Sequence, residues 1–119
     1  MASEEAAVLD RVAFDDFAGL FDARELRDVI EEWHADSARA LDAIAAAHAC
    51  GDNARIGELA HRAAGGGLAI GASALARACE RLRATAESGA AVTEDEIAAV
   101  RAAVVATYAA LTAAAAGRS

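Results

Sequence analysis

The chain has 119 residues, no proline and a formal charge of −8 from 19 acidic and 11 basic residues. That length suits one domain with a modest core, and an alanine-rich, proline-free composition favours helices, since alanine loses no side-chain entropy in one. The acidic balance argues against nucleic acid and anionic membrane as partners, so we expect a single all-α domain over residues 1–119.

The N-terminal stretch MASEEAAVLDRVAFDD is acidic and lacks the basic-then-apolar order of a signal peptide, which leads us to expect a cytoplasmic protein. AFDDFAGLF (Ala13 to Phe21) predicts a brief helix covering one end of the fold. Leu26, Val29, Ile30, Trp33, Ser37, Leu41 and Ile44 then recur at i, i+3, i+4 and i+7, predicting one amphipathic helix from about Ala23 to Ala49. On it, Trp33 is expected in the core, whereas His34 and His48 have no motif around them and read as ordinary surface or boundary positions. Cys50-Gly51-Asp52-Asn53 reads as a turn, with Gly51 capping one helix and Asp52 or Asn53 opening the next.

The following helix starts near Ala54, buries Ile56, Leu59, Ala60 and Ala63, and runs through His61 into Gly65, Gly66 and Gly67. Gly71 or Ser73 opens another helix, with Leu75, Ala78, Cys79, Leu82 and Ala86 on its core face. Thr93 reads as an N-cap followed by acids in the first turn, and Ile97, Val100, Val104, Tyr108 and Leu111 define the last helix. Its uncharged run, Ala102 to Gly117, is shorter than the roughly 20 residues a membrane span needs. Cys50 and Cys79 have neither C-x-x-C spacing nor a histidine at metal-ligand spacing, so they are expected reduced, and no metal site is expected. Four substantial amphipathic helices on short loops predict an antiparallel up-and-down four-helix bundle with a short extra N-terminal helix.

The glycine triplet is the anomaly, because each glycine inside a helix costs roughly 0.5–1 kcal/mol relative to alanine. At about 100° per residue, with Ile56 at zero, the buried stripe runs from Leu59 at about −60° to Ala60 at about +40°. His61 falls near +140°, outside that stripe. Around it lie Ala64 at about +80°, Gly57 at about +100°, Leu68 at about +120° and Gly65 at about 180°. An imidazole on a surface of such small neighbours lets a partner's backbone approach closely, and exposed Leu68 suits an apolar docking patch. Phosphate-loop readings fail: G-x-G-x-x-G would need glycine where Ile70 stands, and no lysine follows for a nucleoside triphosphate loop. Close helix packing with no further role is the bland explanation of the glycines.

Ala60 to Leu82, AHRAAGGGLAIGASALARACERL, resembles the signature of the histidine-containing phosphotransfer (HPt) domain family. Ala60, His61, Gly65, Gly71, Ala72, Leu75, Cys79 and Leu82 sit at its offsets, and the likeness in helix number and in the turn before the histidine spans nearly the whole chain. The resemblance implies a non-enzymatic phosphoryl carrier. In it His61 accepts a phosphoryl group from a receiver aspartate and passes it to another receiver, and Gly65 keeps the docking position open. It further implies response-regulator receiver domains and a hybrid histidine kinase as partners, a monomer, and no cofactor of its own, with Mg²⁺ held by the receiver.

We expect Nε2 of neutral His61 as the nucleophile, with Glu58 near +200° orienting the ring through Nδ1–H. The docking surface expected around it is Gly57, Ala64, Gly65 and Leu68. One departure stands out: the family's lysine three residues after the histidine is Ala64 here, and Arg62 is the nearest substitute as a phosphate contact. That gap leaves open a module that only docks receivers or kinases without being phosphorylated, and an unrelated helical bundle with a fortuitous motif.

Overall fold

The computed structural model describes residues 8–118, so the first seven residues of the acidic N-terminal stretch lie outside the described residues. Among the described residues the chain is all-helical with no strand. The five helices are α1 (Arg11–Ala18), α2 (Ala23–Ala49), α3 (Asn53–Ile70), α4 (Ser73–Ser88) and α5 (Glu94–Ala116). A 27-residue α2 is about 40 Å long at 1.5 Å per residue, close to the 45 Å longest dimension of the molecule.

Helix ends follow from side-chain chemistry. Asp22 accepts from the Glu25 amide while the Glu25 carboxylate accepts from the Asp22 amide, and Thr93 and Glu96 repeat this capping box at the start of α5. Asp52 caps α3 by accepting from the Arg55 amide, after Gly51 has turned the chain at φ +68°. Each cap satisfies an amide that the helix geometry leaves without a carbonyl.

The helices pack in a bundle-like cycle: α2 on α3, α3 on α4, α4 on α5 and α5 on α2, with α1 against α3. The α3–α4 interface is the most extensive. One hydrophobic cluster joins them, centred on the fully buried Phe14, Ile56, Cys79, Leu82 and Leu111. Burial, with the Glu80 charge beside it, pushes the Cys79 thiol up to about 11, as befits a small core residue. Trp33 and Tyr108, expected inside, are only half-buried against this cluster. Tyr108 stacks on His34 with centroids 3.9 Å apart and donates a hydrogen bond to Glu31. By length and hydropathy α5 is long and apolar enough to cross a membrane, which the uncharged run alone had not indicated. In the fold its stripe of Ile97, Val100, Val104 and Leu111 is buried in the core.

Candidate functional site

α3 runs unbroken through Gly65, Gly66 and Gly67 to Ile70. It stops at Gly71, whose φ of +85° is a left-handed conformation that side chains resist. There the Ala72 amide donates to the Gly67 carbonyl at 2.7 Å and the Gly71 amide to Leu68 at 3.2 Å, a Schellman end. A Cβ on Gly71 would stand 2.8 Å from the Asp10 carbonyl oxygen and the Phe14 nitrogen, because α1 crosses directly over this turn. The Asp10 amide donates to the Gly71 carbonyl at 2.8 Å and Ser73 Oγ donates to the Val8 carbonyl at 3.3 Å.

From this turn α4 returns along α3. Contacts run in opposite order on the two helices: Gly67 lies against Leu75, His61 opposite Glu80, and Gly57 against Ala86 and Glu87. Gly57, Ala60, Ala64 and Gly67 form a stripe of small residues, all buried, on which α4 sits. That corrects two expectations. Gly57 and Ala64 belong to the helix interface, not to a docking surface; Ala64 is 1% exposed. The buried arc of α3 is wider by about 60° than the stripe from Leu59 to Ala60 indicates, reaching about +100°.

His61 stands just beyond that edge, with its side chain 66% exposed. Beside it Gly65 is exposed, and a Cβ built there meets nothing within 4 Å. Leu68, one turn farther, is 61% exposed. These three of the expected residues form one open face. Glu58 does not orient the imidazole, since its carboxylate pairs with Arg55 one turn back at 3.2 Å. Arg62 points the other way. It lines a groove of about 480 Å³ between α2 and α3 with Trp33, Asp36, Arg39 and Arg55.

Two residues of α4, Glu80 and Arg83, lie on the His61 side of α3. Glu80 Oε1 is 3.7 Å from His61 Nδ1, an ion-pair distance somewhat longer than a hydrogen bond. The other oxygen of the same carboxylate accepts from Arg83 Nη1 at 3.0 Å, and Arg83 Nε donates to Glu87 at 3.2 Å. Those hydrogen bonds hold the Arg83 guanidinium even further above neutrality than usual. Arg83, Glu87, Gly57, Glu58 and His61 share one open groove of about 470 Å³. The Glu80-Arg83-Glu87 spacing, i, i+3 and i+7, was the available sequence signal: an acid–base–acid ladder on one helix face.

With Nδ1 turned to a carboxylate, Nε2 is the ring nitrogen left to meet a visitor. Among the described residues no group of three His, Cys, Asp or Glu side chains is placed to hold a metal ion. Comparison of the chain with protein-family models, with curated proteins and with solved structures finds no match.

Proposed function

We propose that this chain is a histidine phosphotransfer domain of a two-component phosphorelay, with His61 as the phosphoryl acceptor and donor. One observation carries the reading: an exposed imidazole whose Nδ1 faces Glu80, beside the open backbone of Gly65. The packing order of the helices and their short connections also suit an antiparallel up-and-down four-helix bundle, which is part of this reading.

The chemistry is a displacement at phosphorus. The Nε2 lone pair of neutral His61 attacks the phosphoryl group of a receiver's aspartyl phosphate. A P–N bond forms, the P–O bond breaks, and the aspartate carboxylate leaves with the bonding pair. The ring keeps its Nδ1 proton and becomes a phosphorylated imidazolium, and Glu80 is placed to balance that charge by accepting from Nδ1–H. Transfer to a second receiver reverses these steps. Mg²⁺ is supplied by the receiver in this reading, and the chain acts as a cytoplasmic monomeric carrier without catalysis of its own. Leu68 and Gly65 supply the apolar, unobstructed contact for a receiver or for a hybrid kinase.

The test is incubation of the full chain with a panel of receiver domains charged by a small-molecule acyl phosphate in Mg²⁺. Acid-labile label on the chain that disappears in His61→Gln is the expected result. Receiver binding without label would replace relay by docking alone, the alternative favoured by the missing lysine at position 64. Neither label nor binding would leave an unrelated helical protein.

A further inference from the structure

A phosphoryl group on His61 carries two negative charges into a groove lined by Glu58 and Glu87, with Glu80 facing the ring. The protein as a whole is acidic as well. Such a group needs a local cation, and the position three residues after the histidine cannot provide one, because Ala64 is in the core. Arg62 faces the groove on the far side of α3. Arg55 is engaged by Glu58 and also lines that far groove.

Arg83 is the remaining cation of the His61 groove. One carboxylate lies between its guanidinium and the imidazole: Glu80 Oε1 stands 3.7 Å from Nδ1 of the ring, and Glu80 Oε2 accepts from Arg83 Nη1 at 3.0 Å. Nη2 has no hydrogen-bond partner among the described residues. The Arg83 side chain is 34% exposed and its partners Glu80 and Glu87 are more exposed still, so both pairs are surface ion pairs, which exchange at little cost.

We infer that Arg83 is the phosphate-binding residue of the site. On phosphorylation it turns its guanidinium from the Glu80 and Glu87 carboxylates to the phosphoryl oxygens on Nε2, which Glu80 permits by shifting its own interaction to the Nδ1 proton. This inference rests on the phosphotransfer reading. It places the cation on the neighbouring helix, where a planar, bidentate donor suits phosphate better than a point charge.

The test uses the full chain phosphorylated with phosphoramidate and followed by ³¹P NMR against pH. A nearby cation favours the dianion, so the second ionisation of the phosphoryl group is expected to rise by about one pH unit in Arg83→Gln. It should return most of the way in Arg83→Lys and stay unchanged in Arg62→Gln. Because Arg83→Gln also unmasks two carboxylates, the comparison is repeated in a Glu80→Gln/Glu87→Gln background, where a rise of the same sign is expected. A titration indifferent to Arg83 in that background overturns the inference while leaving His61 phosphorylated. If no ³¹P signal dependent on His61 forms at all, the phosphotransfer reading itself fails and the inference goes with it.

Discussion

The two sides of α3 use the same small residues for opposite ends. On one side Gly57, Ala60, Ala64 and Gly67 are covered by α4, and lack of bulk lets two helices close on each other. Just beyond the edge of that stripe His61, Gly65 and Leu68 stand in solvent, and the bare backbone of Gly65 keeps the imidazole approachable. A glycine or alanine in a helix therefore says that something comes near without saying what. The direction it faces, fixed by the neighbouring helix, decides between packing and access.

That contrast breaks most sharply at the end of the packed side. Gly71→Ala forces a Cβ onto a left-handed backbone and to within 2.8 Å of α1 backbone atoms. We expect a stability loss of at least about 2 kcal/mol, read from urea unfolding. A loss below 0.5 kcal/mol, roughly the scale of an ordinary surface change, would mean α1 does not sit on the turn. Ala64→Lys comes next. Were Ala64 on a solvent face, a lysine would be neutral in stability and supply the missing charge; buried against α4, it should cost about 1–3 kcal/mol through overpacking and desolvation. The smallest effect has the opposite sign. Gly65→Ala meets no neighbour and should raise stability by about 0.5–1 kcal/mol through helix propensity, so a fall in the same unfolding curves would show that Gly65 is enclosed.

Much of the fold was legible because helix periodicity and caps are local signals. The α2 bounds agree with the spacing of Leu26, Ile30, Leu41 and Ile44, and Asp52 and Thr93 cap helices as their chemistry suggests, whereas Gly71, read as a possible start of α4, instead ends α3 and Ala72 takes the N-cap of α4. The exposure of His61, Gly65 and Leu68 was readable from the helical wheel. Gly57 and Ala64 were misplaced because large aliphatic residues define a stripe clearly, whereas alanine and glycine are compatible with either side. Glu80 and Arg83 were missed for a different reason. Glu80 comes to face His61, and Arg83 to share its groove, through the phase of α4 against α3, and that phase depends on the geometry of the Gly71–Ala72 turn rather than on any nearby residue pattern. Glu58 and Arg62 were close in sequence but are claimed by Arg55 and by the α2 side of the helix.

The backbone bond from Asp10 to Gly71, with Ser73 reaching back to Val8, ties residues 8–10 to the elbow between α3 and α4. That elbow governs how far one helix is slid along the other, and a slide of a single residue would carry Glu80 away from the imidazole. The segment before α1 thus works as a clasp on the register between α3 and α4. Anything that tugs it loose would shift Glu80 against His61 without touching either residue.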